Sequence, residues 1–283
     1  MPQLKKERRH ADMAKIIGKL LQGYTVGGIT VTKNGVVREN VPHRKRSLSR
    51  KAMRSKCIIR GLMSIYPIIK EQLMGTLEGC KHLGEASNKF VSLNCHRTAV
   101  WIPHELKKSG ASFVVDYAVS QGSLYRIKQK LTTENQLCTD IAIADDITVS
   151  TTIGQLSIDI IAHNPHFAKG DILKLFYVEQ HLVCTPQIPQ VVCMVDNLCL
   201  NPDDAELLTH VTGSRPWCRH GGFLAMAEPL SNAAAAYIHV RVTSSGQLYA
   251  SSQELHYVNP IVEPYTTEEA FEHAYQSYCG KKA

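Results

Sequence analysis

From Ser112 onward, apolar residues recur at every second position in short runs cut by turn residues. Side chains on a β-strand alternate between faces, so this period predicts strands rather than helices. Extended segments are predicted at 113–119, 124–127, 141–149, 155–162, 171–179, 190–195, 222–227, 236–243 and 248–258. Asn164-Pro165, Lys169-Gly170-Asp171, Asn201-Pro202, Gly221-Gly222 and Ser245-Gly246 separate them as turns. The clearest pair sets Ile238, Val240 and Val242 against His239, Arg241 and Thr243, with Ser244-Ser245-Gly246 reversing the chain. Short strands at this spacing predict an Ig-like or fibronectin-III-like antiparallel β-sandwich over 112–262. Asp203–Leu208 reads as a short helix capped by Asn201, and 267–278 as a C-terminal helix with Thr266 and Glu269 forming a capping box.

The first 111 residues follow other rules. Residues 1–22 form a basic arm, and 23–111 a hairpin followed by helices. Ile29-Thr30-Val31-Thr32 and Val36-Val37-Arg38-Glu39 flank Lys33-Asn34-Gly35. Asn-Gly supplies the two positive φ angles of a type I′ turn, so Ile29, Val31, Asn34, Gly35 and Val36 mark a β-hairpin. A lone hairpin is marginal in water and needs a further strand, a second copy or a partner. Ser47 caps a predicted helix through Ser64, Pro67 is expected to break it, and further helices are expected over 68–77 and 85–93. The fold class is therefore α+β. The helical block is either a separate domain or packed on one face of the sheet.

Charge divides the chain more sharply than pattern does. Residues 1–60 hold sixteen Lys and Arg against Glu7, Asp12 and Glu39, a net of +13, while 61–283 carry −6. Arg44, Lys45, Arg46, Arg50, Lys51 and Arg54 follow one another with no acid among them. Arg46, Arg50 and Arg54 recur every four residues, one stripe on a helix. Like charges at that spacing repel by tenths of a kcal/mol per pair. The stripe fits contact with an anion: a protein surface, the acidic part of another copy, or a phosphate backbone. The bland alternative is a solvated face. No aromatic residue is interleaved there, so base stacking at that stripe is not expected.

Other chemistry is sparse. The nine cysteines are odd in number and include no CxxC pair, which suits free thiols in a reducing compartment. Cys184, Cys193, Cys199, Cys218 and His220 crowd one stretch, but their spacing is too open for the paired thiolates of a zinc knuckle. Asp145-Asp146 and Asp203-Asp204 are adjacent carboxylates better read as a strand edge and a first helical turn. No GxSxG, HExxH or GxxxxGK[ST] motif occurs. No cofactor or metal is expected. No apolar run is long enough to span a bilayer, and the N-terminus lacks the apolar core of a secretory signal, so synthesis in the cytoplasm is expected.

Several segments, in order, resemble a Bacteroidetes family of domains of unknown function. Met13-Ala14-Lys15-Ile16-Ile17-Gly18-Lys19-Leu20 resembles its opening, and Ser55 to Leu73, with Pro67 inside, its helical block. Phe113-Val114-Val115-Asp116-Tyr117 and Ser120-Gln121-Gly122-Ser123-Leu124 resemble its extended segment. Ile238 to Gly246 with Ser251-Ser252-Gln253 resembles its terminal strand pair. The segments 180–220 and 259–283 are longer here, and the cysteines fall outside the pattern. The resemblance implies an architecture and no activity.

These readings lead to a non-enzymatic structural or interaction protein, assembling through its hairpin and basic stripe with other copies or an anionic protein partner. A phage-derived role, or a place in a larger particle, fits the same features. The alternative is a nucleic-acid-associated protein making phosphate contacts without sequence preference. An enzyme whose site is assembled from distant residues stays open, because a single sequence does not reveal one.

Overall fold

The computed structural model describes residues 25–26, 29–31, 37–39, 50–95, 111–183, 188–213 and 215–259. The basic arm, the region around Pro103 and the predicted C-terminal helix lie outside them. The chain divides into two compact units, 1–50 and 51–283.

The first unit holds β1 (Thr25–Val26), β2 (Ile29–Val31) and β3 (Val37–Glu39) in one antiparallel sheet, in that order. The hairpin thus gains its third strand from its own chain. Val26 pairs with Ile29 and Thr25 with Thr30. In the hairpin Val31 pairs with Val37 and Ile29 with Glu39; the predicted Asn34-Gly35 turn lies outside the described residues.

The second unit begins with α1 (Arg50–Leu73) and α2 (Leu83–Asn94). Helix α1 runs through Pro67 without the expected break. Leu62, Ile65, Tyr66, Ile69 and Leu73 are buried along one face, at helical spacing. Pro67 and Met63 face outward, so the Met63 carbonyl deprived of its donor meets water. Burying the inner face at about 1.5–3 kcal/mol per large side chain outweighs the roughly 3 kcal/mol cost of an interior proline. Helix α2 presents Ala86, Phe90 and Asn94. The rings of Tyr66, Phe90 and Tyr117 form a chain with centroids 6.0 and 5.9 Å apart.

The strands that follow are β4 (Ala118–Ser120), β5 (Gln129–Leu131) and β6 (Leu137–Ala142). Next come α3 (Ile153–His163), β7 (Ile172–Val183), β8 (Ile188–Cys199) and α4 (Thr209–Thr212). The last strands are β9 (Trp217–His220), β10 (Phe223–Met226), β11 (Ala233–Val242), β12 (Leu248–Ala250), β13 (Gln253–Glu254) and β14 (His256–Val258). A central sheet runs β12-β11-β7-β8, with β14 also on β11, and a second runs β5-β6-β10-β9. The strand pairings within these two sheets are antiparallel.

The central sheet is covered on both faces. Ala234, Ala236, Ile238 and Val240 join Phe176 and Val178 in a core with α1 and α2. Ala233, Ala235 and Tyr237 join Leu173 and Leu175 in a second core with Leu137, Ile141, Trp217 and Leu224 of the other sheet and with α3. Trp217 meets Tyr237 edge-on across the two sheets, centroids 5.3 Å apart. The helices and the later strands therefore share a core, and the unit is α+β.

Several predicted elements change. Of the extended segments 113–119 and 124–127, only 118–119 lie in a strand, β4, and Leu124 makes a single bridge to Ser251. Residues 155–162 form helix, not strand. Thr152 accepts from the Gln155 N–H at 3.2 Å, and Gln155 Oε1 accepts from the Thr152 N–H at 2.9 Å, a complete capping box. Ile153, Leu156 and Ile160 lie on the buried side while Ile158 is exposed, so helical spacing overrides the β-branched composition. The predicted strand 141–149 stops at Ala142, because the buried Asp159 carboxylate accepts the N–H groups of Ala144 and Asp145 and turns the chain. Residues 203–208 form turns, and the short helix sits at 209–212; the N–H groups of Ile153 and Gly154 bond to Glu206 and Asp204 carbonyls, so this loop serves α3. Thr152→Ala is expected to lower unfolding free energy by about 1 kcal/mol, with Thr152→Ser restoring most of it, read from urea midpoints.

The β11–β12 hairpin matches its prediction. Thr243 and Gln247 bracket Ser244-Ser245-Gly246, the Gly246 N–H bonds to the Thr243 carbonyl at 2.9 Å, and Gly246 has φ of 79°. That is a three-residue loop with glycine in the left-handed position. No helix among the described residues is long and apolar enough to cross a membrane.

Candidate functional site

Arg44, Lys45, Arg46, Asn34, Gly35, Val36 and Cys184 lie outside the described residues. Arg50, Lys51 and Arg54 lie on the first turns of α1. Ile29 and Val31 bound β2, opposite Glu39 and Val37. Cys193 and Cys199 sit on β8, and Cys218 and His220 on β9 of the other sheet. Among the described residues no group of three or more His, Cys, Asp or Glu could hold a metal ion. Six cysteines, Cys80, Cys95, Cys138, Cys193, Cys199 and Cys218, are free thiols. Asp145 and Asp146 are exposed, and Asp146 faces Arg219 at 3.4 Å.

Strand β8 closes one side of the central sheet. Its Val191 N–H bonds to Ser112 Oγ at 3.1 Å, and its Pro189 carbonyl accepts the Ser112 N–H at 3.0 Å. Backbone groups of that parity point away from β7. Cys193, Val195, Asn197 and Cys199 follow in the same parity, and their outward backbone groups have no backbone partner among the described residues. The one contact there is a long 3.5 Å bond from Asn197 Nδ2 to the Val195 carbonyl. Such a stretch can accept an added strand.

The outer face of the second sheet forms an open groove of about 670 Å³. Leu137 and Ile141 of β6 point into the core, so the intervening Cys138 and Asp140 point out. Lys128 and Lys130 line one side, His220 and Phe223 the other. Phe223 is 42% exposed and His220 sits directly across from it. Asp140 accepts the Tyr125 hydroxyl at 2.7 Å and the Lys128 N–H at 3.0 Å. The hydrogen bond to Asp140 raises the Tyr125 pKa, keeping the hydroxyl protonated. Tyr125 stacks on His166 beside it, centroids 4.0 Å apart and planes 6° apart. Burial raises the Cys138 and Cys218 thiols, so neither supplies a ready thiolate.

A second polar cluster is sealed. His239 Nε2 lies 2.8 Å from Asp171 Oδ2, and Arg241 donates Nε and Nη2 to the two Asp171 oxygens at 2.6 Å each. The Ala168 N–H adds a bond of 2.9 Å, and Phe167 stacks on the imidazole at 4.3 Å. Burial pushes the Asp171 carboxyl up, but the bonds from Arg241, His239 and Ala168 overcome it and hold the pKa at about 2. The pair has the form of a base and its orienting acid. Yet His239 has no exposed surface, and its Nδ1 has no partner among the described residues. Among the described residues no nucleophile meets it, so the cluster is read as a structural tie between β11 and the residue that precedes β7.

A third convergence joins distant segments. Ser120 donates its hydroxyl to the carbonyls of Thr76 (2.9 Å) and Ser251. The Gly122 N–H bonds to Ser252 Oγ at 3.1 Å, and Ser123 bonds through its N–H to Glu78 at 2.7 Å. Sequence reading marked these segments through a resemblance but did not reveal that they meet. Compared with protein-family models, with curated proteins and with solved structures, the chain finds no match.

Proposed function

We propose that this chain is a non-enzymatic interaction protein that assembles by strand addition, with other copies of itself or with an anionic protein partner. The observation that carries this reading is the stretch Cys193–Cys199 of β8, whose outward backbone groups have no backbone partner among the described residues. Two facing antiparallel sheets support a sandwich-like, Ig-like scaffold, with α1 and α2 laid on its outer face. The basic run from Arg44 to Arg54 adds an electrostatic contact to the backbone pairing.

Light scattering on the full chain tests the proposal. Asn197→Pro removes an N–H that points away from β7, so the β7–β8 ladder stays while an added strand loses a donor. Arg46→Glu with Arg50→Glu and Arg54→Glu reverses the stripe. Each change is expected to reduce the assembled mass or abolish partner capture, with an unchanged circular dichroism spectrum. A wild-type chain that is monomeric and captures nothing, or variants that keep the wild-type mass and partners, would overturn it.

A further inference from the structure

We propose that the outer groove of the β5-β6-β10-β9 sheet is a binding site for single-stranded nucleic acid, with a base stacked on Phe223 and phosphates drawn to Lys128 and Lys130. This site is separate from the β8 edge and does not depend on assembly there. The argument starts from the aromatic ring. Phe223 is 42% exposed at the side of the groove, while Cys138 and Ala225 on the same sheet face are buried. His220, opposite it on β9, adds a second planar ring beside it. A π face on a sheet surface stacks bases of any identity.

Charge selects the ligand. Lys128 and Lys130 have no ion-pair partner among the described residues. The groove's carboxylate, Asp140, is engaged by the Tyr125 hydroxyl and the Lys128 N–H. Two lysines against the single Asp140 carboxylate leave the groove net positive, which favours an anion. Lys130 stands on β5 and Lys128 just before it, two strands from Phe223 on β10, a separation of roughly 10 Å at ordinary strand spacing. A nucleotide's sugar and phosphate together with an extended lysine bridge that distance. The groove's open form suits a chain passing through rather than an enclosed small molecule. A duplex would hide its base faces from Phe223, so the site distinguishes single strands from double.

Fluorescence anisotropy on the full chain, with labelled oligouridine, oligothymidine and a duplex at about 50 mM salt, tests this. Phe223→Ala is expected to weaken single-strand binding roughly ten-fold or more while changing duplex binding little. The exposure of Phe223 makes loss of folding an unneeded explanation, and a circular dichroism melt verifies that. Lys128→Glu with Lys130→Glu is expected to flatten the single-strand salt slope by about 1.4, two contacts at 0.7 each. A preference for the uridine or the thymidine strand names the natural source, and either supports the site. No single-strand binding at this salt, or Phe223→Ala binding as tightly as the wild type, would overturn it.

Discussion

Asp171→Ala is expected to lower the unfolding free energy by about 3–5 kcal/mol, measured by urea denaturation at neutral pH. Asp171 is 1% exposed and accepts from Arg241 twice, from His239 and from the Ala168 N–H. Removing it leaves His239 buried with neither ring nitrogen paired among the described residues, an uncompensated polar group. Arg241 is 38% exposed at its side chain and can turn to water, which favours the lower end of that range. Acid gives the same result reversibly. Folding depresses the Asp171 pKa from 3.8 to about 2, so the native state binds fewer protons than the unfolded one in that window. The stability this contributes, about 2 kcal/mol, is complete above pH ~4 and is lost as pH falls toward 2. Asp171→Asn should flatten the acid limb of the wild-type stability curve. An unchanged acid limb would sink the assignment of that cluster as a tie.

The same cluster shows where sequence reading reached its end. Alternation in 238–243 located β11 and its hairpin, because pleat and turn chemistry are local. It did not reveal that His239 is buried, because the second sheet covers that face and Asp171 arrives from 68 residues earlier. Ala233–Ala235 went unread as strand for a related reason. Alanine has little intrinsic β preference, and only the layers on both sides make its small side chain fit. The β-branched run Ile158-Asp159-Ile160-Ile161 suggested a strand until the Thr152–Gln155 cap is weighed against it, and that signal was in the sequence. The groove was not. Lys128, Lys130 and Phe223 are joined only by β6 and the β10 register, which no spacing rule reaches.

Gly122→Ala is expected to cost about 3 kcal/mol or more and to lower Tm by roughly 10 °C, read by calorimetry. A Cβ at Gly122 would lie 2.2 Å from the Ala250 carbonyl oxygen, 2.8 Å from its carbon and 2.5 Å from Glu78 Oε2. Glu78 can swing away at the cost of its bonds to Ser123, but Ala250 cannot. Its backbone is fixed in β12 against Val240, and its carbonyl accepts the Leu124 N–H at 3.0 Å. The only relief is to part the 120–124 segment from β12. That opens the paired contacts of Gly122 with Ser252 and exposes Ser120 and Ser251, both fully or nearly buried. Gly84→Ala gives the contrast within the same protein. A Cβ there meets only the His82 ring, at 3.4 Å, in the first turn of α2, and the change is expected to be near neutral. Equal melting temperatures for the two variants would show that the 120–124 junction yields more easily than its close backbone approach requires.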